Sequence, residues 1–259
     1  MLKVAILGAA GRMGRTLTHL VAEHPGLELS GALVSSGSPL VGSDTDARVA
    51  LTDQPSRALA GADVAIDFSV PAAAIPNADA CVAAGCGLVI GTTDLSDEVR
   101  NALGRCAKEI PVLIAPNMSV AMNVLLSVVA DAIRALGPDY DIEIIEAHHR
   151  SKVDAPSGTA LRLGEVAAAA RGDSLDHRAT WQRHGKCGPR EPGSIGFSVV
   201  RAGDIVGEHT LLLAGDDEQL ELTHRATRRE AFAVGALRAA RWLAGRPPGL
   251  YSMSDVLGL

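Results

Sequence analysis

Aromatic residues are scarce in this chain, with two Trp, two Tyr and three Phe among 259 residues. A core without large rings must be filled by Ala, Val, Leu and Ile, and a hydrophobic fraction of 47% supplies them. Cysteine is also rare. Cys81, Cys86, Cys106 and Cys187 form no CxxC pair, and no histidine stands at metal-ligand spacing. That argues against a disulfide framework and against a zinc site, so reduced thiols in a cytoplasmic protein and no metal are expected. Basic residues are outnumbered, and the net charge of -6 argues against general nucleic-acid binding. Long hydrophobic runs are absent. The longest, Val120 to Ile133, is interrupted by Asn123, Ser127 and Asp131. It is too short to span a bilayer and reads as a buried helix. Val4 to Leu7 is too short for the apolar region of a signal peptide and runs into a glycine turn, so neither a leader nor a membrane partner is expected.

What is present is an alternation of strand and helix signals. Strands are predicted at Lys3 to Leu7, Leu27 to Val34, Asp63 to Phe68, Gly87 to Ile90 and Pro111 to Ala115. Helical patterns lie between them: one carries Leu17, Leu20 and Val21, and one opens at Pro71 with Ser69 as N-cap. Another follows Ser96, where Asp97 and Glu98 suit a positive helix start. Such βαβ alternation implies a parallel sheet covered on both faces. The pattern changes near residue 119. A long apolar helix, Val120 to Leu136, precedes a strand at Asp141 to Ala147 and a helix at Thr159 to Ala170. Arg171 to Pro192 reads as a surface loop, and strands are predicted at Ser194 to Arg201, Ile205 to Leu213 and Gln219 to His224. Strands clustered in this way suggest a mixed or antiparallel sheet. A last helix, Glu230 to Leu243, leads to a short tail. The expected class is α/β, with a parallel-sheet domain over 1–119, completed by 229–259, and an α+β domain with a mixed sheet over 120–228.

Gly8, Gly11 and Gly14 fall between the first strand and the first helix. Glycine permits a sharp turn and close approach to a pyrophosphate, and the helix start adds N–H donors. The spacing is GxxGxxG rather than GxGxxG, so the pattern gains weight only from its place at the head of a βαβ series. A carboxylate that would hold a ribose 2′-OH should lie about 20 residues on. Val34 stands there, followed by Ser35 and Ser36. With no acid to favour NAD, and Arg12 able to pair with a 2′-phosphate, NADPH or use of both cofactors is favoured. Gly91, Thr92 and Thr93, and Ala115, Pro116, Asn117 and Met118, follow two further strands, at the edge where open α/β sheets bind ligands.

The stretch EAHHRSKVDAPSGTA, Glu146 to Ala160, combines two histidines, a lysine and a Pro-Ser-Gly-Thr turn ahead of a helix. Imidazole and ammonium groups can donate protons, and the turn can offer backbone N–H groups to an anion. Neighbouring strand residues point to opposite faces, so His148 and His149 can share a pocket only where the strand ends. The stretch reads as a pocket for a small anionic substrate. A different Rossmann dehydrogenase acting on an amino acid or semialdehyde, or a nucleotide-sensing paralogue without catalysis, are the alternatives.

These segments resemble the 4-hydroxy-tetrahydrodipicolinate reductase (dihydrodipicolinate reductase) family over nearly the whole chain. The likeness rests on VAILGAAGRMGR, AIDFS, VIGTT and APNMSVAMN, and above all on DIEIIEAHHRSKVDAPSGTAL and GSIGFSVVRAGDIVGEHT. The resemblance implies a Rossmann-type domain completed by the C-terminal helix, and a mixed-sheet domain that binds substrate and assembles a homotetramer. It implies reduction of a cyclic dicarboxylate by NADH or NADPH, on the diaminopimelate route to lysine. It assigns cofactor contacts to Gly8, Ala9, Ala10, Gly11, Arg12 and Met13, to Gly91, Thr92 and Thr93, and to Ala115, Pro116, Asn117 and Met118. His148 would be the catalytic proton donor or acceptor and Lys152 a proton donor. His149 would bind substrate, and Ser157, Gly158 and Thr159 form the turn that holds a substrate carboxylate. The departure is at Val34 and Ser35, where some relatives carry a Glu-Arg pair used in nucleotide recognition.

Overall fold

The computed structural model describes residues 1–259. In chain order the first elements are β1 (Leu2–Leu7), α1 (Arg12–Glu23), β2 (Leu27–Leu33), β3 (Leu51–Thr52), α2 (Pro55–Ala58) and β4 (Val64–Asp67). They are followed by α3 (Pro71–Ala84), β5 (Gly87–Ile90), α4 (Asp97–Cys106) and β6 (Pro111–Ile114). Next come α5 (Val120–Leu136), β7 (Asp141–His148), α6 (Gly158–Ala170), α7 (Leu175–Arg178) and β8 (Ala179–Thr180). The chain continues through β9 (Ile195–Arg201), β10 (Gly207–Ala214) and β11 (Gln219–Ala226), then α8 (Glu230–Leu243), β12 (Gly249–Tyr251) and α9 (Met253–Leu257). Two compact units result: Met1–Val120 with Glu230–Leu259, and Ala121–Arg229.

The first unit is built on a seven-stranded sheet of order β12-β6-β5-β4-β1-β2-β3, parallel at every pairing. Because side chains alternate along a strand, each strand feeds two cores. Val4 and Ile6 join Val64, Ile66 and Leu113 against α1, α8 and α9, whereas Ala5, Leu7, Ala65 and Leu88 pack against α2, α3 and α4. Both faces are thus covered, as a parallel sheet requires. The strand order reverses at β1, whose neighbours β2 and β4 carry their crossovers to opposite sides. That reversal opens the crevice in which doubly wound sheets bind ligands.

The second unit holds a five-stranded sheet of order β11-β10-β7-β9-β8, antiparallel between β11, β10 and β7 and parallel between β7, β9 and β8. One face carries Ile142, Ile144, Leu211, Leu213 and Phe197, and packs on α5 and α6 through Met122, Ile133, Leu163 and Ala167. Phe197 is the one aromatic side chain among the buried core residues, so aliphatic and alanine packing does carry these cores.

Several expectations need correction. Ser69 is not the N-cap of α3: Val70 is, because Pro71 occupies the first helical position and forces the extended residue before it into that role. Ser69 instead accepts a hydrogen bond from the Asn77 amide at 3.3 Å. The helix α5 is buried on one face only, since Val124 and Val128 are 40% and 44% exposed. The stretch expected as loop, 171–192, contains α7 and the short strand β8, and the tail adds β12 to the first sheet. Segments of two to four residues have too few positions to show a period, and only pairing or packing defines them. No helix is long and apolar enough to cross a membrane.

Candidate active site

The first cluster of candidate residues lies along the carboxyl edge of the parallel sheet. Gly8 leaves β1 with φ +83°, a backbone conformation that other residues rarely adopt, and its N–H donates to Leu33 O at 3.0 Å. Gly14 lies where a Cβ would sit 2.2 Å from Gly8 O and 2.6 Å from Ala9 Cα, so α1 can approach the loop only without a side chain there. Gly11 is the N-cap and offers no side-chain acceptor, leaving the first N–H groups of a 12-residue helix to a ligand. Ala9 is buried, Ala10 and Met13 are partly buried, and Arg12 is exposed beside them.

Asp67, absent from the sequence reading, ties the neighbouring loops together. It is fully buried at the end of β4 and accepts from Ser69 N–H (2.7 Å), Asn77 Nδ2 (2.8 Å) and Thr92 Oγ1 (3.3 Å). The Thr92 hydroxyl is therefore held inward, while Thr93 is exposed and Gly91 lies beneath the Phe68 ring. Ala115 N–H donates to Ile90 O at 3.1 Å, which brings Ala115, Pro116, Asn117 and Met118 to the same edge as Gly91. Val34 is 5% exposed and packs in the core, its N–H bonded to Thr52 O, so its side chain is turned from that edge and the exposed Ser35 follows it. The edge thus offers two features of a dinucleotide site, a glycine cradle and an uncapped helix start, and it lacks the carboxylate at the end of β2 that would hold a ribose 2′-OH.

The second cluster is built on β7. The inward positions of this strand run Ile142, Ile144, Glu146, His148, so the apolar series ends in a carboxylate and an imidazole on one face. Glu146 Oε2 lies 2.6 Å from His148 Nδ1 and 2.7 Å from Arg201 Nη1, and Oε1 accepts from Arg201 Nη2 at 2.8 Å and Ser157 N–H at 3.0 Å. Strand register makes this possible, with His148 opposite Arg201 and Glu146 opposite His209. Burial would raise the Glu146 pKa, but the hydrogen bonds from His148, Arg201 and Ser157 outweigh it and hold the carboxyl at about 2. The Arg201 guanidinium is correspondingly raised, chiefly by its hydrogen bond to Glu146.

His209 lies on the other side. Its Nε2 is 3.0 Å from Ser157 Oγ and its ring meets that of His148 edge-on, with centroids 5.1 Å apart. Burial first, and then the neighbouring His148, push its pKa down to about 3, so it is a neutral imidazole. Ser157 is the N-cap of α6, accepting from Ala160 N–H at 3.2 Å, and Gly158 and Thr159 are the first two residues of that helix. Lys152 Nζ pairs with Asp154 Oδ2 at 2.8 Å. Burial opposes ionisation of Asp154, but the hydrogen bond from Lys152 wins and lowers its pKa. The Asp154 carbonyl in turn accepts from Arg201. His148, Lys152, Ser157, Gly158 and Thr159 are therefore gathered around one Glu-Arg pair, with His149 just past the end of β7.

Comparison with known proteins places this arrangement. Residues 2–118 match the family description "Dihydrodipicolinate reductase, N-terminus", and residues 121–257 match "Dihydrodipicolinate reductase, C-terminus". The chain is 50% identical to a 4-hydroxy-tetrahydrodipicolinate reductase of Anaeromyxobacter dehalogenans (strain 2CP-1), with 100% of this chain and 98% of the relative covered. The chain belongs to the dihydrodipicolinate reductase family. The reductase of that name from Thiobacillus denitrificans is 51% identical, covering 99% and 98% of the two chains. Among solved structures, the dipicolinate-bound dihydrodipicolinate reductase from Paenisporosarcina sp. TG-14 matches with a TM-score of 0.79 at 24% identity, covering 98% of both chains. That likeness supports the fold of a dihydrodipicolinate reductase.

Glu146, Arg201, His209 and Asp67 were missed by sequence reasoning. For Glu146 a signal existed, since it shares the period-two face of β7 with His148. Arg201 and His209 lie in the GSIGFSVVRAGDIVGEHT segment, but they reach the site only through strand pairing across 55 and 63 residues, respectively, and nothing in their local spacing ties them to Glu146.

Proposed function

We propose that the protein reduces 4-hydroxy-tetrahydrodipicolinate to tetrahydrodipicolinate, using NADH or NADPH, in lysine biosynthesis through diaminopimelate. The observation that carries this reading is the buried Glu146–His148 pair beside the Ser157 turn, in a chain about half identical throughout to reductases of that name. A bound nicotinamide supplies the hydride. The chain's own residues supply orientation and the proton. The carboxyl edge of the first unit takes the dinucleotide, with the α1 start facing its pyrophosphate and Thr92 fixed by Asp67. Arg12 and Ser35 are exposed and carry donors suited to a 2′-phosphate, and no acid at Val34 repels one, which favours NADPH or use of both cofactors.

His148 is the group that donates or accepts the proton, and Lys152 is a second proton donor. His149 binds substrate, while Gly158 and Thr159 receive one of its carboxylates at the N-terminus of α6. Substrate is a small dicarboxylate, and neither nucleic acid nor membrane is a partner of this cytoplasmic enzyme. We also place the protein in a homotetramer. The outer face of the mixed sheet supports self-association, with Ile145 and Val200 39% and 43% exposed on adjacent strands.

The test is oxidation of NADPH or NADH by the purified protein in the presence of condensed pyruvate and aspartate semialdehyde. Turnover is expected with at least one cofactor, and kcat/KM for the two sets the preference. Lys152→Ala and His148→Gln are expected to lower kcat by roughly 100-fold or more, the usual contribution of a positioned acid. Dinucleotide affinity should not change. Turnover with neither cofactor would remove the enzyme reading.

A further inference from the structure

Four donors converge on the two oxygens of Glu146, whose side chain is wholly buried. Both nitrogens of the Arg201 fork and the Ser157 N–H account for three of them. These three can only donate: a guanidinium in a protein does not lose its proton, and an amide N–H is never an acceptor. Paired with this guanidinium fork and held at a pKa of about 2, the Glu146 carboxyl is ionised and can only accept. The fourth contact, from His148 Nδ1, is therefore also a donor.

We propose that Glu146, held by Arg201, is the positioning residue that fixes His148 as its Nδ1–H tautomer, leaving Nε2 as the nitrogen that exchanges a proton with substrate. Gly207 bears on access to that same nitrogen. A Cβ at that position would lie 3.1 Å from His148 Nε2, so glycine is what keeps that flank of the nitrogen uncrowded. The nearby His209 makes no hydrogen bond to His148 Nε2: its own Nε2 is engaged by Ser157 Oγ, and its Nδ1 has no hydrogen-bond partner. One carboxylate thereby sets both the proton-handling ring and, through Ser157 N–H, the start of α6. Arg201 extends the same reference point to the Asp154 carbonyl, in the loop that carries Lys152. What Nε2 does rests on the proposed reductase reading, but the tautomer is a property of the chain itself.

The experiment is NMR of the full chain with isotope-labelled histidine, the His148 signals being identified by their loss in His148→Gln. Neutral His148 is expected with Nδ1 protonated and Nε2 bare. A neutral ring found mainly as Nε2–H would overturn the proposal. Glu146→Gln places an amide NH2 against two donors at either oxygen position, so the ring is expected to switch to Nε2–H. With the wrong nitrogen protonated, kcat should fall roughly 100-fold or more, while KM for the dinucleotide stays the same. A Glu146→Gln enzyme with the wild-type tautomer and wild-type kcat would refute it. Should that variant not fold, Gly207→Ala reads the same nitrogen: the Nδ1–H signal should persist while kcat drops, and full kcat in Gly207→Ala would count against Nε2. A wild-type protein with the Nδ1–H ring but no reductase activity would uphold the tautomer and remove the reaction instead.

Discussion

At the scale of single residues, the second unit concentrates its cost in a few buried polar groups. An ion buried without partners is costly, and Glu146 is tolerable only because Arg201, Ser157 and His148 all meet it. His209 has no such support. Its pKa is pushed down to about 3 by burial, from an ordinary value of 6.5, and its Nδ1 has no hydrogen-bond partner. A group whose folded pKa is depressed stabilises the fold above its unfolded pKa and loses that contribution as pH falls toward the folded value. His209 should therefore begin to destabilise the protein as pH drops below about 6.5, with a slope of up to about 1.4 kcal/mol per pH unit. Glu146, held at about 2 against an ordinary 4.5, adds its own loss only below that second value. Between the two, urea unfolding should show a fall in stability that is smaller in His209→Gln. Parallel pH profiles for the two proteins would show that His209 is not the cause. His224, also lowered by burial, accounts for slope that remains.

At the scale of elements, the junction of β1 and α1 shows how a loop is shaped by what cannot fit. Gly8 takes a turn that other residues resist, and Gly14 lets the helix backbone touch it. Gly14→Ala would put a methyl group 2.2 Å from Gly8 O and 2.6 Å from Ala9 Cα, against backbone atoms that cannot yield as a flexible side chain would. We expect a loss of about 1–3 kcal/mol, the usual cost of overpacking. Because the helix start must move away from the loop, dinucleotide affinity should weaken too. Denaturant unfolding and a fluorescence titration with NADPH measure the two effects separately. Destabilisation with unaltered affinity would mean that the loop is structural only. The turn ahead of α6 follows different logic, since Ser157 caps that helix with its hydroxyl while its N–H is anchored by Glu146.

At the scale of the whole molecule, the first unit is discontinuous in sequence. Ala233, Ala236, Ala240 and Leu243 of α8 share a core with Val4, Ile66, Val89 and Leu113, and β12 pairs with β6. A chain ending at Arg229 would keep α1 over β1 and β2 but leave β4, β5 and β6 bare on that face, which a parallel sheet does not tolerate. We expect that truncation to lose cooperative unfolding in circular dichroism and to bind no NADPH. A truncated protein that unfolds cooperatively and binds NADPH would show α8 to be dispensable.

Much was already decided locally. The alternation of short apolar runs with helical patterns specified the parallel sheet, the glycine spacing located the turn between β1 and α1, and HHRSKVDAPSGT placed two histidines and a lysine ahead of the capped start of α6, because period, turn chemistry and capping act over a few residues. The partners of those side chains were not decided locally. Arg201 and His209 are brought to Glu146 by the register of β9 and β10 against β7, and Val34 was turned into the core by the packing around β2. The sequence by itself determined which groups could handle protons and anions. Only the tertiary structure decided which nitrogen of His148 faces Glu146, because pairing between distant strands is set by the whole sheet and not by any one segment.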